Sequence, residues 1–142
     1  MKEVLIKYRN NPDLSLLPHI FSAFHDIRAV YLFGSTNSTR VNRESDLDLA
    51  VLSDSGNLRQ HRLEILTALA GKGFCHVDLV FLDTNDIVLK YEAVSPNRLI
   101  YQREDFERGT YYSKIIRQYL DFLPYLNVQR AAYKRRILNG QT

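Results

Sequence analysis

The chain has 142 residues, of which 45% are hydrophobic and 25% charged, the proportions of an ordinary globular domain rather than of a disordered tail or a membrane protein. A formal net charge of +3 and a pI near 9.0 favour anionic ligands but supply no broad basic track for a nucleic-acid backbone. The single cysteine, Cys75, excludes an internal disulfide and has no zinc-like spacing, so it is expected as a small buried hydrophobe in a cytosolic protein.

The first ten residues hold only Val4-Leu5-Ile6 as an apolar run, too short for a signal peptide, and no run approaches a membrane span. A helix is expected over Leu16 to Phe24, with Ser15 as its cap, Pro18 in the first turn, and Leu17, Ile20, Phe21 and Phe24 at helical spacing. His19 and His25 read as ordinary surface positions. A buried strand follows from Ala29 to Phe33 and stops at Gly34-Ser35. Glycine lets backbone N–H groups approach a ligand closely and the serine hydroxyl adds a rotatable donor, a pairing suited to phosphate oxygens. The polar connection from Thr36 to Ser45 is expected to begin as a short helix at Ser35, its N-terminus aimed at a phosphate.

The next strand, Asp46 to Leu52, opens Asp46-Leu47-Asp48. Strand alternation puts both carboxylates on one face and Leu47, Leu49 and Val51 on the other. Carboxylates that converge repel unless a cation sits between them, and Mg²⁺ with oxygen ligands is the ordinary solution beside a phosphate.

Beyond the turn Ser53 to Asn57, a helix is expected over Leu58 to Ala70, closed by Gly71-Lys72-Gly73. That Gly-Lys pair is no P-loop, because position 66 is Leu where the motif needs glycine. His61 reads as an exposed helix residue. In the strand His76 to Leu82, Asp78, Val80 and Leu82 share a face. An acid in so apolar a strand must reach a strand end, find a cation or have its pKa raised. Asp83 reads as a turn or helix-cap residue. A short helix from Asp86 to Ala93, a Ser95-Pro96-Asn97 turn and an edge strand from Arg98 to Gln102 complete the sheet. The rest, Glu104 to Leu138, is helical and rich in tyrosine, with Pro124 a kink or boundary. Its basic cluster Arg130, Lys134, Arg135 and Arg136 reads as a solvated helix end or a partner contact.

Gly34-Ser35, the ten-residue gap and Asp46-Leu47-Asp48 together resemble the signature of the DNA polymerase β-like nucleotidyltransferases. Within that superfamily the chain looks like the minimal nucleotidyltransferases, the MntA-type antitoxins encoded beside HEPN-domain toxins. The resemblance implies an α/β (α+β) fold, a small mixed sheet flanked by helices with a C-terminal helical segment. It also implies one nucleotidyltransferase domain over 1–142, with a catalytic core at 1–102 and a helical segment at 103–142. On it, Asp46, Asp48 and Asp78 hold two Mg²⁺ ions as the catalytic carboxylates, Gly34 and Ser35 fix the triphosphate of ATP, and AMP passes to a tyrosine of the HEPN ribonuclease. The toxin's own Arg-x4-His-x-Tyr motif is absent here. Many relatives read Gly-Ser-x-Ala-Arg-Gly, whereas this chain has Thr36, Asn37, Ser38 and Thr39, so Arg40 or Arg43 is left as the candidate triphosphate contact, Arg43 being preferred. A binding-only antitoxin with a vestigial site, and transfer to a small-molecule hydroxyl, are the alternatives.

Overall fold

The computed structural model describes residues 13–34, 47–54 and 58–140. Its framework is a four-stranded sheet of β1 (Ile27–Phe33), β2 (Leu47–Ser53), β3 (Val77–Phe81) and β4 (Leu99–Gln102), ordered β3-β2-β1-β4. β1 runs antiparallel to both β2 and β4, while β2 and β3 are parallel. A parallel neighbour needs a crossover, and the helix Leu58–Ala70 lies in that connection. The chain is thus the small mixed sheet expected from its sequence.

Helices cover both faces, and the alternation of each strand decides what each face buries. Leu47, Leu49 and Val51 of β2 join Val30 and Leu32 of β1 in one core, closed by Leu17 and Phe21 of α1 (Leu17–Ser22) and Ile65 and Leu69 of α2 (Leu58–Ala70). Ala50 and Leu52 point the other way and join Ala29 and Tyr31 under Ala93 and Val94 of α3 (Ile87–Val94) and Ile115 of α4 (Arg108–Leu138). Burying each such side chain contributes about 1.5–3 kcal/mol, and strands buried on both faces read as continuous apolar runs for the same reason.

Several local expectations need correction. The cap at the first helical turn is Asp13, whose carboxylate accepts from the Ser15 N–H at 3.0 Å, and not Ser15 itself. A 3₁₀ turn over Leu14–Leu16 precedes α1. Cys75 is exposed, because Phe74 beside it takes the buried position. His61 is half-buried, with Nε2 3.3 Å from an Asp26 carboxylate oxygen. Asp86, not Asp83, caps α3, accepting from the Leu89 N–H at 3.2 Å. Pro124 lies inside α4 and does not end it. Its ring removes one N–H, and its exposed position leaves the orphaned carbonyl to water.

Candidate functional site

Three of the residues singled out by sequence meet at one end of the sheet. Phe33 stands opposite Asp48 across the antiparallel β1–β2 pair, so Gly34, the next residue, comes beside the Asp48 side chain. Asp48 in turn stands in register with Asp78 across the parallel β2–β3 pair, at the strand spacing of about 4.8 Å. The order across the sheet is therefore Gly34, Asp48, Asp78.

Glycine is required at position 34 twice over. Its φ is +77°, a conformation costly for any residue with a Cβ. A Cβ built there would also collide with the Asp48 carboxylate, whose Cγ would be 3.1 Å away. The Gly34 backbone is thus pressed against the carboxylate, on the face that also carries α3 and α4.

Asp78 is solvent-exposed, since β3 is an edge of the sheet. Exposure is what resolves the desolvation problem that an acid in an apolar strand poses. Asp48 is half-buried. Ser35, Arg40, Arg43 and Asp46 lie outside the described residues. Among the described residues no group of three or more His, Cys, Asp or Glu side chains is placed to hold a metal. The Asp48–Asp78 pair nonetheless offers the hard oxygen donors that Mg²⁺ takes.

The opposite end of the sheet carries acids of another kind. Arg103 donates from Nε to Asp105 at 2.6 Å, and from one terminal nitrogen to Asp54 at 2.6 Å and to the His25 carbonyl at 2.8 Å. The Arg103 guanidinium holds the Asp105 carboxyl below its usual range. Asp83 accepts from both the N–H and the hydroxyl of buried Ser53, at 3.2 and 3.0 Å. A cleft of about 600 Å³ opens beside them, with Arg28, Asp83, Lys90, Tyr111 and Lys114 on its walls. Leu52, on its wall, lies four residues along β2 from Asp48, about 13 Å at the rise of a strand, so this cleft is not where the converging acids are. Sequence reasoning missed this end, because the contacts that tie it to the sheet, Asp83 to Ser53 and Arg103 to Asp54 and His25, join residues 30 to 78 positions apart.

A profile of the family described as "Polymerase beta, Nucleotidyltransferase" matches residues 17–106, the span from α1 to the residues before α4. No curated protein gives a significant match. Among solved structures, a mutant of the toxin–antitoxin pair MntA-HpeT aligns with a TM-score of 0.69 at 22% identity, covering 89% of this chain and 98% of that one. A toxin–antitoxin structure with AMP-PNP aligns at 0.68 and 24% identity, with the same coverage of 89% and 98%. A complex of a tri-AMPylated Shewanella oneidensis HEPN toxin with an MNT antitoxin aligns at 0.58 and 24% identity, covering 93% and 98%. At these identities the likeness is one of fold. The profile takes in well over half of the chain, including Gly34, Asp48 and Asp78, and the chain belongs to the Polymerase beta, Nucleotidyltransferase family.

Proposed function

We propose that the chain is an antitoxin that transfers AMP from ATP to a tyrosine hydroxyl of a HEPN ribonuclease toxin encoded by a neighbouring gene, and so neutralises it. The observation that carries this reading is the row Gly34, Asp48, Asp78, a close-approach backbone beside two carboxylates in register. Membership of the nucleotidyltransferase family supports the class of reaction. The choice of acceptor draws on the solved complexes of like fold, one of which holds an AMPylated HEPN toxin with an MNT antitoxin.

In the reaction, the tyrosine oxygen bonds to the α-phosphorus of ATP, the bond from that phosphorus to the bridging oxygen breaks, and pyrophosphate leaves with the electron pair. Asp78 is the residue assigned to take the hydroxyl proton, or to orient the group that takes it. Its exposure at the sheet edge suits it to meet a side chain presented by another protein. Gly34, with Ser35, holds the β- and γ-phosphates so that the line of attack is preset. Two Mg²⁺ ions held by Asp46, Asp48 and Asp78 would supply charge neutralisation on the triphosphate. No helix among the described residues is long and apolar enough to cross a membrane.

The test is incubation of the chain with α-labelled ATP, Mg²⁺ and the neighbouring-gene protein, read by gel and by mass of the modified residue. Label on a partner tyrosine, lost in the Asp46→Ala/Asp48→Ala variant, is the expected result. Equal neutralisation of the partner by wild type and variant, with no label, would establish the binding-only antitoxin instead. Label on a small-molecule hydroxyl and none on the protein would move the activity to that class.

A further inference from the structure

α4 is 31 residues long, yet its only fully buried residue is Ile115. The helix packs on the domain through one face: Ile115 and half-buried Ile116, Tyr119, whose ring stacks on Tyr91 of α3 at 3.7 Å, then half-buried Phe122, Leu123 and Leu126. At 100° per residue these positions fall on one face, and the same face continues through Tyr133 and Ile137. Those two are 64% and 55% exposed, and between Asn127 and Gly140 every residue except Ala132 is exposed. The stripe therefore outruns the fold it packs on, by about 20 Å of helix from Leu126 to Leu138.

We propose that this distal half of α4 is the docking helix for the acceptor protein, and that the partner offers it an apolar seam rimmed with acidic residues. The proposal rests on the reading of the chain as a protein-modifying nucleotidyltransferase and names where its partner is held. Charge selects the occupant. α4 carries seven basic residues and a single acid, Asp121, and Arg130, Lys134, Arg135 and Arg136 all lie in the distal half. A second copy pairing distal half to distal half would set cation against cation, whereas an acidic rim satisfies it. Beyond Leu126 the stripe is also narrow, and it is interrupted by Gln129 and Arg130 in the turn before Tyr133. A seam with one polar turn is the pattern of helix against helix, where the polar position fixes register. A helix lying in a membrane surface needs a broader apolar face.

The measurement is titration calorimetry of the full-length chain against the purified neighbouring-gene protein. Tyr133→Glu/Ile137→Glu, at two exposed positions, is expected to leave the melting temperature unchanged and to weaken the affinity at least about a hundredfold, as loss of an interface centre does. Arg130→Glu is expected to weaken it about tenfold and to reduce its dependence on salt. Val128→Glu, on the opposite side of the helix, is expected to leave it within about twofold, as non-contact positions do. Unchanged affinity in the double variant overturns the inference, as does a wild-type chain that does not bind the partner. So does a double variant that loses self-association, or binding to anionic vesicles or single-stranded RNA, while holding the partner as wild type does. The two readings fail separately. Wild type that binds through α4 but transfers no label removes the activity and keeps the docking helix, and label transfer with unchanged affinity in the double variant does the reverse.

Discussion

At the end of the sheet where β2 and β3 finish, the acids face fixed donors: Asp54 and Asp105 share the Arg103 guanidinium, and Asp83 accepts twice from Ser53. At the end where those strands begin, Asp48 and Asp78 face each other in register beside a glycine that admits no side chain. The same residue type therefore does opposite work about 17 Å apart. Acids met by arginine and hydroxyl donors join loops to the sheet and contribute to stability. Acids set side by side repel, and a cation arriving between them relieves that repulsion.

Substitutions at the two ends should accordingly separate activity from stability. Asp48→Ala is expected to lower nucleotidyl transfer by several orders of magnitude, since electrostatic stabilisation of the triphosphate is worth several kcal/mol. Its effect on the urea midpoint should be small beside that on turnover, because the Asp48 side chain is only half-buried. Transfer at the wild-type rate would end the distinction between the two ends. Gly34→Ala comes next: a Cβ at φ +77° pushes the Asp48 carboxylate aside, and a displacement of that order is worth about a hundredfold in turnover. Single-turnover kinetics read this directly, and the strained backbone should also cost about 1–3 kcal/mol of folding stability.

At the far end the signs reverse. Asp83→Ala removes two hydrogen bonds from Ser53 and is expected to cost about 1–2 kcal/mol in denaturant unfolding, with kcat and KM for ATP unchanged. A shifted KM would mean that the two ends are coupled through β2. The smallest effect is expected at Tyr31, fully buried in the core between them, whose hydroxyl has no partner among the described residues. Burial pushes its pKa up to about 12 from 10.0, with Arg108 opposing. The folded chain thus keeps a proton that the unfolded chain releases near pH 10, so this contribution to stability is full below pH 10 and declines as pH rises through 12. Burial raises Tyr111 in the same sense. Tyr31→Phe should change stability at pH 7 by less than about 1 kcal/mol and flatten the alkaline loss, which denaturation midpoints between pH 9 and 12 would register.

What the sequence disclosed tracks how local each signal is. α2 begins at Leu58 and ends at Ala70 as its periodicity and trailing glycines imply. The faces of β2 follow from alternation alone, since Leu47, Leu49 and Val51 all enter one core. Gly34, Asp48 and Asp78 come to one end of the sheet because the motif residues sit at strand ends, where backbone geometry aims them. The links from Arg103 to Asp54 and from Asp83 to Ser53 were not found, because they join partners brought near only by the folded sheet. Cys75 was misread because a small apolar side chain carries no signal of which neighbour takes the core, and Phe74 takes it.

The in-register pairing of β2 with β3 also bears on how such a site tolerates change in sequence length. The separation of the Asp48 and Asp78 backbones is set by the sheet's hydrogen bonds, so side-chain substitution cannot tune it. An insertion or deletion of one residue inside either strand would invert every later side chain, exchanging the residues that the two cores receive. Gains and losses of residues can therefore accumulate in the connections, such as that between Ser53 and Val77, but not within the strands. The acids and the core that supports them are inherited as one block.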